Sequence, residues 1–376
     1  MEAAAAVDRR WMAMALGLGA RGLGQVWPNP AVGCVIVRNG RVLGRGWTQP
    51  GGRPHAETEA LAQAGSAARG ATAYVTLEPC AHHGKTPPCA EALVAAGIAR
   101  VVTALTDPDP RVDGGGHAIL RHAGVAVTTG VLEAEARRAN EGFLRLMTEG
   151  RPHLTLKLAS SVDGRIATAT GESQWITGPA ARRAVHAMRA RHDAVLVGAG
   201  TARADDPSLT VRGLGVSHQP VRIVASRHVD LSTESRLFRA IGDAPVWICH
   251  GVDAVSERTA TWKARGARMV EVPVDRGRQL DPVQLLRALG AAGLTRVFCE
   301  GGGTLAASLL NAGVVDELVT FIAGMGLGAE GQPGLGAMGI DRLAEAPRFV
   351  LDGVGGVGAD VVAHWRPVRQ SVVNSA

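Results

Sequence analysis

His55-Ala56-Glu57, followed about twenty residues on by Glu78-Pro79-Cys80-Ala81-His82-His83-Gly84-Lys85-Thr86-Pro87-Pro88-Cys89, decides how the first part of this chain is read. One histidine and two cysteines form a three-ligand set for tetrahedral zinc, with the fourth position left to water. The Ala/Glu-rich run 56–64 predicts a helix, so His55 and Glu57 stand at its start. There the imidazole faces the metal, and the carboxylate two residues on leans over the water. It can take that water's proton and deliver it to a leaving amine. Pro87-Pro88-Cys89 opens a second expected helix, whose first amides favour the thiolate form of Cys89 and of Cys80. Any one of these residues alone reads as a surface histidine or a core thiol, and it is the joint spacing that points to a metal.

Outward from these segments the chain alternates strands and helices. Residues 32–38 and 41–47, joined at Asn39-Gly40, carry a strong hairpin signal, because that pair accepts the positive φ angles of a tight turn. Strands at 71–77 and 101–105 and helices at 90–96 and 116–123 follow, which predicts an α/β layered domain. Residues 142–152 read as the end of that domain and a link, since Gly150-Arg151-Pro152 breaks helix before the alternating strand 153–158. The expected division is 1–149 and 150–376. In the second part strands are expected near 194–197, 221–225, 245–249, 296–299 and 316–322, with helices near 179–190, 282–290 and 304–312; the Gly-rich stretch 324–339 reads as a surface loop.

Composition narrows the function classes. With 376 residues, 46% hydrophobic and 20% charged, the chain can bury two cores, which excludes disordered, collagenous and disulfide-scaffold classes. The formal charge of +6 is almost all arginine, the lysines being Lys85, Lys157 and Lys263, and it is scattered rather than gathered into a basic stripe. Such an excess suits anionic small molecules such as phosphates about as readily as nucleic acid. Cys34, Cys80, Cys89, Cys249 and Cys299 are odd in number and irregular in spacing, as expected of reduced thiols in the cytoplasm. The apolar run 11–20 is too short to span a bilayer and predicts an amphipathic helix, so no membrane partner is expected.

His-x-Glu with Pro-Cys-x-x-Cys is a signature of zinc nucleobase deaminases, although here the second gap is eight residues. That long spacer, with Asn29-Pro30-Ala31-Val32-Gly33 before it and Asp107-Pro108-Asp109-Pro110-Arg111-Val112 after it, resembles the bifunctional riboflavin biosynthesis deaminase/reductases. The resemblance continues through Leu156-Lys157, Ser161-Val162-Asp163-Gly164-Arg165, Gly171-Glu172-Ser173-Gln174-Trp175-Ile176-Thr177 and Ala204-Asp205-Asp206-Pro207, and so covers nearly the whole chain. It implies a cytidine-deaminase-like three-layer α/β/α domain followed by a dihydrofolate-reductase-like α/β domain. It also implies that His55, Cys80 and Cys89 bind zinc, with Glu57 as proton shuttle. Asn29, His82, Lys85, Thr86 and Asp107 would hold the base, ribose and 5′-phosphate of a small phosphorylated pyrimidine. Two departures from the family pattern bear on those contacts without touching the zinc ligands: Thr48 stands where histidine is usual, and Asp109 where asparagine is frequent.

A second site is expected where the strand ending at Cys299 runs into Gly301-Gly302-Gly303 and a helix capped by Thr304, exposing amides to an anion. A plain tight turn has the same local sequence. A similar turn at Val197-Gly198-Ala199-Gly200-Thr201 suggests a crevice shared by both. Here the resemblance implies NADPH, touching Ala159, Trp175, Thr201, Asp205 and Ser226, together with Gly302, Gly303, Thr304, Leu305, Ala306, Ala307 and Ser308. The substrate would meet Ser173, Arg189, Leu209, Arg212 and Glu300, the arginines acting as phosphate forks. Lys157 and Asp163 are candidate polar groups near the reacting ribose; Lys157 reads equally as a strand lysine snorkelling to solvent, and Trp175 as core. Ala225 replaces a common acid, and Gly324-Met325-Gly326-Leu327-Gly328 a more usual Pro-Lys-Leu-Leu-Gly.

The expected activity is zinc-dependent hydrolytic deamination of 2,5-diamino-6-(5-phosphoribosylamino)pyrimidin-4-one, then NADPH reduction of the ribosyl chain to ribityl, by a dimer or tetramer. One rival is a nucleic-acid base deaminase, disfavoured because 3% aromatic residues leave few platforms for stacking bases. The other is a deaminase whose second domain has decayed into an NADPH sensor.

Overall fold

The computed structural model describes residues 2–83, 87–109 and 112–368. By internal contacts the chain divides into two compact units, Met1–Gly150 and Arg151–Ala376. In the first, β1 (Gly33–Arg38) and β2 (Arg41–Trp47) form the expected hairpin, with Asn39 and Gly40 at φ 52° and 73°. With β3 (Thr72–Val75), β4 (Arg100–Thr103) and β5 (Ala126–Thr128) they make a five-stranded sheet of order β2-β1-β3-β4-β5, parallel from β3 to β5.

The helices of this unit are α1 (Glu2–Gly19), α2 (Ala56–Ala64), α3 (Cys89–Ala95), α4 (Gly115–His122), α5 (Glu133–Ala139) and α6 (Glu141–Glu149). Two strand glycines show how the layers close. A Cβ on Gly33 would lie 1.9 Å from the Ala15 carbonyl oxygen in α1, and one on Gly46 would lie 2.3 Å from that of Ala56 in α2. Gly46 pairs with Cys34, next to Gly33, so the two glycines face opposite sides and the sheet lies between helices. Residues 142–152 are not linker throughout. Arg145 pairs with Glu141 (2.9 Å) and Glu149 (2.6 Å) along one face of α6, and the helix stops only at Gly150, φ 67°.

The second unit is again α/β. Its strands are β6 (His153–Ser161), β7 (Arg165–Ala167), β8 (Ala194–Gly198), β9 (Val221–Ala225), β10 (Val246–His250), β11 (Arg268–Glu271), β12 (Arg296–Cys299), β13 (Glu317–Ala323), β14 (Gln332–Pro333), β15 (Phe349–Val357) and β16 (Asp360–Pro367). Nine of them form one sheet of order β11-β10-β9-β8-β12-β6-β13-β16-β15, parallel except at its β13-β16-β15 end. Its helices are α7 (Pro179–Ala190), α8 (Ala199–Asp205), α9 (Arg236–Arg239), α10 (Ser256–Arg265), α11 (Pro282–Ala291) and α12 (Gly303–Asn311). β12 returns between β6 and β8, so the strand order reverses there, and a crevice opens beyond the carboxyl ends of these strands.

Two buried polar arrangements hold this unit together. Arg151 donates two hydrogen bonds to Asp316 (2.7 and 2.9 Å), whose carboxylate also accepts from the Leu154 amide at 2.9 Å. The Asp316 side chain is 1% exposed, so Asp316→Ala strands a buried guanidinium and is expected to lower stability by about 3–5 kcal/mol in equilibrium denaturation. A loss below about 1 kcal/mol would mean that solvent screens the pair.

His192 is likewise buried. Its Nδ1 donates to the Met188 carbonyl (2.7 Å) and its Nε2 lies 3.0 Å from the Thr155 hydroxyl oxygen. Burial, and then Arg296, pushes the imidazole down from 6.5 to about 4, so the unfolded chain takes up this proton first as the pH falls. The stability involved is intact above pH 6.5 and lost as the pH drops toward 4, about 3 kcal/mol in all. His192→Gln should therefore flatten the fall in urea midpoint between pH 7 and pH 4.5. Equal slopes in variant and wild type would show that His192 is not the group responsible.

Candidate functional site

β3 and β4 are parallel neighbours, so the loops that follow them leave the sheet at the same edge. The loop after β3 carries Cys80 and runs into α3 at Cys89, while His55 is the residue that starts α2. The three side chains converge. His55 Nδ1 lies 3.3 Å from Cys89 Sγ and 3.7 Å from Cys80 Sγ, and the Cys89 amide donates to Cys80 Sγ at 3.3 Å. Their ligand atoms all lie within 4.8 Å of one another. Ligands about 2.0–2.3 Å from a tetrahedral zinc stand roughly 3.3–3.8 Å apart, so the set fits that ion.

The hydrogen bond from Cys89 draws the Cys80 thiol down to about 4, with help from His55. The same contact plus burial drives the Cys89 thiol up, so of the two thiolates expected at this helix start only that of Cys80 is favoured before a metal binds. Glu57 is 3% exposed, and burial lifts its carboxyl to about 7 against the pull of His55, where it can both hold and release a proton near neutrality.

His82, two residues after Cys80, has a buried Nδ1 with no hydrogen-bond partner among the described residues. Asn29 packs against the turn that leads to His55: a Cβ on Gly52 would lie 1.9 Å from its amide nitrogen. Asp107 is buried in the loop after β4, and its Oδ1 accepts from the Asp109 amide at 2.9 Å. Lys85 and Thr86 lie outside the described residues. Thr48 is 2% exposed, and its hydroxyl accepts from the Val32 amide at 3.0 Å, so it ties the segment after Asn29 to the end of β2.

In the second unit a cleft of about 1060 Å³ lies beyond the ends of β6, β8 and β12. That exceeds what one drug-sized ligand needs and leaves room for a dinucleotide beside a ribotide. Among the expected cofactor contacts, Ala159, Trp175, Thr201, Asp205, Gly302, Gly303, Thr304, Leu305 and Ser308 line it. Ser173, Arg189, Leu209, Arg212 and Glu300 line it as well, with Lys157 and Ala225. The two glycine turns meet directly, the Gly302 amide donating to Thr201 Oγ1 at 2.8 Å.

Several expectations need correction. Ala306 and Ala307 sit on the buried face of α12, and Ser226 is buried with its hydroxyl donating to Asp230 at 2.9 Å, so none of the three lines the cleft. Gly302, not Thr304, caps α12, because Thr304 already lies inside the first turn. The second glycine turn is shorter than expected, since α8 starts at Ala199. Arg189 is not a free phosphate fork. Its guanidinium makes paired hydrogen bonds to Glu300 and another to the Thr210 carbonyl (2.8 Å). Asp163 does not line the cleft: its carboxylate accepts from the Ser161 hydroxyl and from the Leu327 and Gly328 amides, anchoring the glycine-rich segment. Trp175 is not core but 64% exposed at the cleft, with Arg182 stacked 4.6 Å from its ring centre. Lys157 is half-buried and its side chain lines the cleft; burial lowers its ammonium pKa while Glu300 pulls it back.

His186 and Glu78 are the functional candidates missed from sequence. His186 lines the cleft, and its Nδ1 accepts from the Arg212 amide at 3.2 Å, but a lone histidine on a helix gives no signal of this. Glu78 stands inside the quoted motif, which was its signal.

Comparison with known proteins agrees with this geometry. Residues 5–105 match the cytidine and deoxycytidylate deaminase zinc-binding region, and residues 152–363 match the RibD C-terminal domain. The riboflavin biosynthesis protein RibD of Escherichia coli is 43% identical over 369 residues, covering 95% of this chain and 98% of that protein. The solved structure of Acinetobacter baumannii RibD superposes with a TM-score of 0.86 at 39% identity, covering 96% of this chain and 99% of that one. A Thermotoga maritima diaminohydroxyphosphoribosylaminopyrimidine deaminase/5-amino-6-(5-phosphoribosylamino)uracil reductase gives 0.85 at 34% identity, covering 97% and 99%. The cofactors of this enzyme type are zinc for the first unit and NADPH for the second, and the residues found at each site fit them. No helix among the described residues is long and apolar enough to cross a membrane. Matched in both units and along nearly its whole length, the chain belongs to the RibD family of bifunctional riboflavin biosynthesis enzymes, a zinc-dependent deaminase joined to an NADPH-dependent reductase.

Proposed function

We propose that residues 1–149 deaminate 2,5-diamino-6-(5-phosphoribosylamino)pyrimidin-4-one and that residues 150–376 reduce the resulting 5-amino-6-(5-phosphoribosylamino)uracil. The observation that carries this reading is the convergence of His55, Cys80 and Cys89 beside the buried Glu57, in a chain that also bears the separate cleft. Zinc, when held by those three side chains, supplies a Lewis acid that makes water a nucleophile near neutral pH. Glu57 takes the proton released as water adds to C2 of the base and passes it to the departing amine, so that C2–NH2 and water become C2=O and ammonia. His82 and Asn29 orient the base and ribose, Asp107 fixes the substrate from the neighbouring loop, and Lys85 and Thr86 hold the 5′-phosphate.

In the cleft the Gly301–Gly303 turn and the first amides of α12, which favour an anion, would hold the dinucleotide phosphates. NADPH, when bound, supplies the hydride that reduces C1′ of the opened ribosyl chain. Lys157, held beside Glu300, can give the proton that accompanies it. Arg212 and His186 face the substrate phosphate. The enzyme works in the cytoplasm as a dimer or tetramer.

Mass spectrometry of the zinc-loaded protein with the diaminopyrimidine ribotide tests this. Amine should give way to carbonyl without NADPH, and two hydrogens should be gained only when NADPH is added. An unchanged ribotide at full zinc occupancy would refute the substrate assignment.

A further inference from the structure

The deaminase site is assembled from two loops on separate strands, one carrying Cys80 and the other Asp107, and one buried carboxylate joins them. The Glu78 side chain is 0% exposed and lies two residues before Cys80. Its Oε2 accepts from the Asp107 amide (3.2 Å) and the Gly114 amide (3.1 Å), and its Oε1 from the His117 amide (3.0 Å). Gly114 caps α4 and has no side chain to satisfy the first amides of that helix, so Glu78 does so from another part of the chain and places a negative charge at the helix's positive end. The approach is close. A Cβ on Gly116 would lie 1.9 Å from the Pro79 carbonyl oxygen, so α4 rests directly on the turn that presents Cys80. His117 closes the arrangement, its ring spanning from Glu78 Oε1 (3.7 Å) to Thr103 Oγ1 (2.9 Å) at the end of β4.

We propose that Glu78 is a positioning residue for deamination: from the metal-ligand turn its carboxylate holds the backbone of the Asp107 loop and the first turn of α4, which sets the spacing between zinc ligands and substrate-binding loop. The proposal rests on the reading of Asp107 as a substrate residue. A carboxylate with only a folding role would support both loops equally and leave no signature in substrate affinity. Three amides of the substrate loop and α4 on one carboxylate, against the short tether to Cys80, predict instead that weakening it loosens Asp107 relative to an intact metal site.

The test uses Glu78→Gln, Asp107→Ala and the double variant in the full-length zinc enzyme, with KM and kcat for ammonia release, zinc per chain, and hydrogen exchange at the Asp107, Gly114 and His117 amides. Glutamine keeps the shape but turns an NH2 toward at least one backbone N–H. KM should rise about 10- to 100-fold, the scale of a lost hydrogen bond to a charged group, with zinc at one per chain, kcat little changed and the three amides exchanging faster. The double variant should be little worse than the poorer single one, because both changes disable the same contact. Should Glu78→Gln lose zinc or fail to fold, Glu78→Asp, which keeps the charge but falls short of the full set of donors, is expected to show the same rise in KM. An unchanged KM in a Glu78 variant that binds zinc, beside a raised KM in Asp107→Ala, would overturn the role of Glu78 alone. Strictly additive losses would do the same. An unchanged KM in Asp107→Ala would overturn the reading of Asp107 and the proposal with it.

Discussion

Glu57→Gln should keep one zinc per chain and release ammonia from the diaminopyrimidine ribotide about 10³-fold more slowly, in the middle of the range for a positioned acid–base group. The reason is local. Glu57 sits in the first turn of α2, two residues after His55, and is 3% exposed. Glutamine fills the same space, so the cysteines and histidine stay where they are and the metal is retained. What goes is the carboxylate proposed to accept water's proton and return it to the amine. Ammonia release measured beside zinc content checks this, and undiminished turnover at full occupancy would remove Glu57 from the mechanism.

Cys80→Ser should have a comparably large effect of a different kind. The hydrogen bonds from Cys89 and His55 hold Cys80 as the thiolate, and a serine hydroxyl in its place stays protonated and ligates zinc poorly. Zinc should be lost on dialysis against a chelator and deamination should fall to background. The fold should survive, since the exchange changes little volume. The second unit has its own compact body and its own cleft, so NADPH oxidation with ready-made aminouracil ribotide should continue at the wild-type rate. Loss of both activities would contradict the assignment of one reaction to each unit, and retained deamination would mean that the triad is not the metal site.

Much of this was legible without coordinates where a local pattern has one physical meaning. Asn39-Gly40 announced its hairpin because few other pairs accept two positive φ angles, and the alternation of residues 153–158 after Gly150-Arg151-Pro152 announced β6. The metal triad could be read because ligand chemistry demands particular residue types, and because His55 and Cys89 sit at helix starts that the sequence also marks. Less legible were features that depend on which side of an element faces where. Ala306 and Ala307 follow directly after cleft-lining Leu305, yet a helix turns about 100° per residue, so neighbours in sequence part company in space. Arg189 looked like a phosphate ligand until Glu300, 111 positions away, was found to occupy its fork.

The sequence by itself determined the α/β class of both units, the three candidate zinc ligands, the carboxylate beside them and the glycine turns that end β8 and β12, because each follows from residue type and short spacing. Only the tertiary structure decided which side chains share a site: that Glu78 clasps the Asp107 loop, that Thr48 serves the backbone, that Asp163 anchors a loop outside the cleft, and that His186 joins Arg212. These pairings join residues far apart in the chain, and strand order and register, not local pattern, bring them within hydrogen-bonding reach.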